Sequence, residues 1–179
     1  TVVVFRGTEP SEPGVDGALV DASFRLRNQP TPAGTVAVHS GFWQAVDSVY
    51  DDVVDYVEAS GDRRVWLTGH SLGGSLAVVT ALRLAADGYD VAGIQSIGAP
   101  NVGGPSFTTV YDRLGLGART QRWVNDRDLV PMLLDPIGDY TEVGSANVFV
   151  RGQGDTFEVR LDTDDPAPFV GGFGMDDHD

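Results

Sequence analysis

Arg64-Val65-Trp66-Leu67-Thr68-Gly69-His70-Ser71-Leu72-Gly73-Gly74-Ser75-Leu76-Ala77 is the stretch that decides the fold. Val65 to Leu67 is a short apolar run of the kind that forms a buried strand, and Leu72 to Ala86, rich in Ala and Leu, has the composition of a helix. Between them Gly69-His70-Ser71-Leu72-Gly73 spells G-x-S-x-G. A serine forced into a tight strand-to-helix turn has a crowded backbone, so the residues two before and two after it must lack side chains that would collide. Gly69 and Gly73 meet that demand. The turn lifts the Ser71 hydroxyl above the end of a sheet, beside a helix N-terminus whose N–H groups favour negative charge.

Strand, glycine-flanked serine and helix together are the nucleophile elbow of α/β-hydrolases. Attack of a serine on a carbonyl generates an oxyanion, and the N–H of Leu72, directly after the nucleophile, is aimed at it. The competing interpretation of the same residues is a glycine-rich turn ahead of an ordinary core helix. The neighbouring strand, the helix and the second glycine of Gly73-Gly74 favour the elbow.

The remaining composition fits one domain over residues 1–179. Hydrophobic residues at 41% and charged residues at 21% are ordinary for a globular chain. No apolar run approaches the roughly 18 residues that span a membrane. With no cysteine, disulfides and thiolate metal sites are excluded, and both a secreted and a cytoplasmic setting stay open. The net charge is −14, which excludes nucleic acid as a natural partner. All twelve basic side chains are arginine. Two explanations stand side by side: adaptation to high salt, where screening relaxes repulsion among carboxylates, and a genome whose codons favour Arg over Lys.

Along the chain, Thr1 to Phe5 is a β-branched run resembling a strand buried on both faces of a parallel sheet. It leads to Arg6-Gly7-Thr8, where Thr8 is placed to supply the second arm of an oxyanion hole through its N–H and hydroxyl. Residues 9–34, rich in Pro, Gly and acids, read as a long, weakly structured connection. A short strand is expected at Val36 to Val38. Val46, Val49, Tyr50, Val53, Val54 and Val57 then recur with helical period, opposite a solvated acidic face of Asp47, Asp51, Asp52, Asp55 and Glu58. After the elbow helix, Gly88 is a candidate C-cap. A strand at Val91 to Ile97, a helix at Ser106 to Leu114 and a strand at Arg119 to Val124 follow. This alternation implies a mostly parallel sheet with helices on both faces. Beyond Pro136, Tyr140 to Val150 and Thr156 to Leu161 look like β segments without a helix between them.

A catalytic serine needs a base, and histidine is the side chain whose pKa suits the task. His70 sits in the elbow with its own direction and reads as a packing or hydrogen-bonding residue, while His39 precedes the serine. The chain order of α/β-hydrolases, serine then acid then histidine, leaves His178. The acid that orients it belongs in a loop after a later strand, and Asn125-Asp126-Arg127-Asp128 is such a loop. Asp128 is the first choice because Leu129-Val130-Pro131 would pin it, with Asp126 as the alternative. Asp162 to Asp165 lacks the glycine and glutamate of a calcium loop and reads as solvated, so no metal or other cofactor is implied.

Val-Phe-Arg-Gly-Thr at 4–8, Val-His-Ser-Gly-Phe at 38–42, Thr-Gly-His-Ser-Leu-Gly-Gly at 68–74, Gly-Ala-Pro at 98–100 and Val-Asn-Asp-Arg-Asp-Leu-Val-Pro at 124–131 together resemble the fungal-type class 3 lipases. The resemblance runs along nearly the whole chain. It implies Ser71, Asp128 and His178 as the triad, Thr8 and Leu72 as the oxyanion hole, and residues 9–20 as the lid, with Asp21 matching the Asp that follows the family's lid. The lid is typically a short amphipathic helix containing Trp, whereas Glu9 to Val20 has two prolines, two glycines and no aromatic residue, which argues against interfacial activation. The family also has elements before the first strand seen here and further chain after the histidine, so residues 1–179 are expected to be the central part of a longer chain.

The function expected is hydrolysis of carboxylic esters, acylglycerols first, through an acyl-enzyme. The partner is an ester or lipid substrate, with transient contact to a lipid interface through residues 9–20. Phospholipase or acyltransferase chemistry, and a catalytically silent binding module, are the alternatives.

Overall fold

A computed structural model describes residues 1–7, 25–62, 64–128, 130–132, 134, 139–151 and 157–161. Thr8, the segment 9–20, Asp21, Asp162 to Asp165 and His178 lie outside the described residues. Six strands form the main sheet: β1 (Val2–Phe5), β4 (Arg64–His70), β5 (Asp90–Ile97), β6 (Thr120–Asn125), β7 (Ser145–Arg151) and β8 (Phe157–Leu161), in that spatial order. The first five run parallel and β8 is antiparallel to β7. A separate antiparallel hairpin is made of β2 (Leu26–Thr31) and β3 (Gly34–His39). Four α-helices are described, α1 (Ser40–Asp47), α2 (Tyr50–Ala59), α3 (Leu72–Ala86) and α4 (Pro105–Arg113), with short 3-10 turns at Gly117–Arg119 and Val130–Met132.

Helix α3 has the boundaries its sequence dictates. It opens directly after Ser71 and ends where Gly88 takes φ +91°, with the Tyr89 N–H bonded to the Leu84 carbonyl at 2.9 Å. Most of its side chains are buried because it packs centrally on β4 and β5. In parallel strands, paired residues share a face. Leu67, Ile94 and Thr120 pair in sequence across β4, β5 and β6, and all three are buried. The Tyr111 hydroxyl of α4 meets the Thr120 hydroxyl at 2.8 Å, so α4 sits on the same face as α3. Helix α2 joins that side through Tyr50 Oη donating to Asp87 Oδ2 at 2.5 Å and Tyr89 Oη donating to Glu58 Oε1 at 2.7 Å. The guanidinium of Arg83 lies 3.7 Å from the Tyr50 ring centre and 5.0 Å from that of Trp43, and bonds Asp47 at 3.0 Å, tying α1 to α3. Helices on the opposite face are not among the described residues.

Three local readings change. Strand β1 is exposed on one face, with Val2 at 58% and Val4 at 68% exposure, rather than buried on both; among the described residues only β4 pairs with it. The helix expected through residues 46–57 is two helices, broken at Val49, whose φ −126° and ψ 1° leave the α region. The connection 9–34 contains strand β2, in which Pro30 opposes Thr35. A proline is tolerated there because β2 has a partner on one side only among the described residues.

Candidate active site

The elbow is built by main-chain contacts. Ser71 has φ +52° and ψ −128°, the only positive φ outside glycine among the described residues. Its N–H donates to the Ile97 carbonyl at 2.8 Å, and its own carbonyl accepts the Gly74 N–H at 3.0 Å. A Cβ on Gly69 would fall under 3.0 Å from the backbone of Gly73, and one on Gly73 would do the same to the Phe5 and Arg6 carbonyls. The two glycines therefore let β4, the turn and β1 approach one another more closely than any side chain permits. Ser71 is buried, and Leu72 opens the 15-residue α3, whose N-terminal N–H groups face the region above the strand ends.

A second clamp was invisible in the motif. A Cβ on Gly74 would lie 2.7 Å from the Ala99 Cβ, and buried Ser75 donates from Oγ to the Pro100 carbonyl at 2.8 Å. Gly98 takes φ +53° to turn the chain into this contact. The loop Gly98 to Asn101 is thus held directly against the start of α3. The doubled glycine and the Gly-Ala-Pro run were the available signals; the Ser75 bond had none.

Asp128 follows β6 and is buried. Its N–H bonds the Asn125 carbonyl at 3.0 Å, and its Oδ1 accepts the Val130 N–H at 2.9 Å. Asp126 donates its N–H to the Phe149 carbonyl at 2.9 Å, while its Oδ1 is buried without a hydrogen-bond partner among the described residues. Arg127 N–H bonds the Asn125 side chain at 3.3 Å, the turn chemistry expected of this loop. Ser71 and Asp128 thus follow the carboxyl ends of β4 and β6, which are separated by one intervening strand. With strands about 4.8 Å apart, these ends lie roughly 10 Å from each other, a gap that one imidazole and two hydrogen bonds can bridge. The histidine and Thr8 expected to complete the site are outside the described residues.

The other two histidines have their own places. His39 is buried, its ring stacks on Phe42 at 4.1 Å between centroids, and its Nδ1 accepts the Phe42 N–H at 3.2 Å as the cap of α1. Burial pushes its pKa down to about 4, so the ring is neutral at ordinary pH. His70 is exposed at the end of β4, so it is not the packing residue its place in the elbow suggested. Among the described residues no group of three His, Asp or Glu side chains could hold a metal ion. No described helix is long and apolar enough to cross a membrane.

A mostly parallel sheet, with a serine in a strained turn between β4 and α3, defines an α/β-hydrolase fold. Residues 2–136 match the family Lipase (class 3), and the chain belongs to that family. A lipase of Rhizomucor miehei is 32% identical over 139 residues, which cover 73% of this chain and 36% of the relative. A secreted mono- and diacylglycerol lipase of Malassezia restricta is 34% identical over 143 residues, covering 74% and 46% respectively. The chain thus spans between about a third and a half of these relatives. Among solved structures, a triacylglycerol lipase described as having a serine-protease triad aligns with TM-score 0.76 and 28% identity, covering 99% of this chain and 69% of its own.

Proposed function

We propose that the protein hydrolyses carboxylic esters, with acylglycerols as the preferred class, through an acyl-enzyme on Ser71. The observation that carries this reading is the Ser71 backbone at φ +52° and ψ −128°, a conformation that costs energy and presents the hydroxyl at the helix N-terminus. In this scheme Ser71 Oγ attacks the ester carbonyl while His178 takes the hydroxyl proton. The oxyanion is held by the Leu72 N–H and by Thr8. Collapse of the tetrahedral intermediate breaks the ester bond, and His178 returns the proton to the departing alcohol. Water, deprotonated by His178, then attacks the acyl-enzyme and releases the acid. Asp128 orients the imidazole; its burial and the Val130 bond that fixes its carboxylate support it over Asp126. Residues 9–20 touch the lipid interface transiently.

The test is an activity profile across p-nitrophenyl esters of rising chain length, with and without emulsified triglyceride, in the wild type and in Ser71→Ala, His178→Ala, Asp128→Ala and Asp126→Ala. Loss of most turnover in the first three, with little loss in the fourth, is expected. Near-normal turnover in Asp128→Ala beside a collapse in Asp126→Ala would reverse the choice of acid. Turnover unaffected by Ser71→Ala would end the proposal.

A further inference from the structure

Ser71 and Asp128 follow the carboxyl ends of β4 and β6, with β5 between them. A base that spans the two passes over the carboxyl end of β5, where Gly98 to Asn101 leave the sheet. This loop is the floor of the gap. Its first residues are coupled to the elbow and to β6: the Ser71 N–H donates to the Ile97 carbonyl at 2.8 Å, and the Gly98 N–H to the Trp123 carbonyl at 2.8 Å. Gly98 then turns away from the strand at φ +53°. Main-chain bonds hold the chain again at Val102, whose carbonyl accepts the His39 N–H at 2.9 Å, and at Gly104, whose N–H donates to the Ala37 carbonyl at 2.9 Å.

Between those anchors the loop meets α3. Ala99 packs against Gly74, and the Pro100 carbonyl accepts the Ser75 hydroxyl at 2.8 Å. Ser75 stands one turn after Ser71, and its N–H bonds the Ser71 carbonyl at 3.4 Å. A single residue therefore touches both the serine turn, through its backbone, and the floor of the gap, through its side chain. Its environment makes the hydroxyl informative. Ser75 is 0% exposed, in a helix whose buried positions are otherwise mostly Gly, Ala, Val and Leu. A hydroxyl in such a place costs free energy unless it is paired, and alanine would occupy the site without that cost. What the hydroxyl adds is its hold on the loop.

We propose that Ser75 is a positioning residue for ester hydrolysis: its hydroxyl fixes the Gly98–Asn101 loop relative to Ser71 and thereby sets the gap across which the base works. The inference rests on the reading of Ser71 given above. Misplacement of a reacting group by about 1 Å costs on the order of 10²-fold in rate. Without the Ser75 bond the Gly74–Ala99 contact still limits the loop, so the displacement is smaller and the loss is about tenfold.

The experiment compares Ser75→Ala and Ser75→Cys with the wild type, with Ser71→Ala, and with Val79→Ala, a truncation at a fully buried position one turn further along α3. Hydrolysis of p-nitrophenyl butyrate and octanoate is followed in the full-length protein, well below every thermal midpoint. In Ser75→Ala, kcat is expected to fall about tenfold for both esters while KM stays within about twofold; in Ser75→Cys, whose thiol donates more weakly, kcat falls about threefold. Val79→Ala keeps the wild-type kcat despite a lower thermal midpoint. An unchanged kcat in Ser75→Ala, or an equal loss in Val79→Ala, reduces Ser75 to packing. A change in KM, or in the preference between the two esters, makes the loop part of the acyl site instead. Either result overturns the proposal, and Ser75→Cys decides by the same criteria if Ser75→Ala does not fold. Hydrolysis retained in Ser71→Ala, or absent from the wild type, ends the reading of Ser71 rather than the role of the clamp. The clamp is then judged by amide hydrogen exchange at Ala99 and Asn101, which Ser75→Ala should speed by about tenfold relative to Val79→Ala. Equal exchange in the two overturns it.

Discussion

Replacing Ser71 by Gly and by Ala separates the cost of the elbow from its chemistry. Both changes remove the nucleophile, so both abolish turnover, but only glycine accepts φ +52° and ψ −128° without strain. A non-glycine residue held in such a region costs about 1–3 kcal/mol. Glycine loses about 0.5–1 kcal/mol of additional backbone entropy on folding. Taking the middle of each range, Ser71→Gly is more stable than Ser71→Ala by roughly 1.3 kcal/mol, which for a domain of this size is about 3–5 °C in thermal midpoint. Loss of the hydroxyl does not complicate the comparison through capping, because Ser71 makes no side-chain cap bond to α3. Calorimetry and urea unfolding of the two variants provide the measurement. A glycine variant no more stable than the alanine variant would refute the claim that the elbow stores strain.

Three further outcomes are expected. His39 has a folded pKa of about 4 against 6.5 unfolded, so the folded state binds fewer protons between those values; its contribution is full above about pH 6.5 and is lost as pH falls toward 4, by at most about 3 kcal/mol. His39→Asn, which retains a capping side chain but does not titrate there, should flatten that limb of the stability–pH curve. The Thr80 hydroxyl is buried in α3 without a hydrogen-bond partner among the described residues, so Thr80→Val should raise stability by about 1 kcal/mol, read as a higher urea midpoint at unchanged slope. If the lysine-free acidic surface is a salt adaptation, the thermal midpoint should climb as NaCl goes from low to molar concentration, whereas a flat or falling midpoint supports codon bias.

What the sequence disclosed tracks how local the cause was. The span of α3 was legible because its start is set by a glycine-flanked turn and its end by Gly88, both visible in order along the chain. The break at Val49 was not, because apolar residues keep their period across it and neither Pro nor Gly marks it. The hairpin strand β2 was hidden by Pro30, whose tolerance depends on having a partner on one side only among the described residues, a fact of topology rather than sequence. The exposed face of β1, which pairs with β4 alone among the described residues, was hidden for the same reason: its residues have the composition of a central strand. In the candidate site, the placement of Ser71, Leu72 and Asp128 just after strand ends was reachable from turn chemistry and strand order, while the bond from Ser75 to Pro100 joins segments 25 residues apart and leaves no local trace.

The contacts that hold Ser71 join backbone to backbone: Gly69 against Gly73, and Gly73 against the carbonyls of Phe5 and Arg6. Interior side chains elsewhere can therefore be exchanged over evolutionary time without moving Ser71, because its coordinates are not set by their shapes. A redesign that repacks the interior for heat resistance can be ambitious about Leu, Val and Ile. It has no freedom at these two glycines, where a single added methyl group would drive apart the turn that carries Ser71, at Gly69, or the turn and the end of β1, at Gly73.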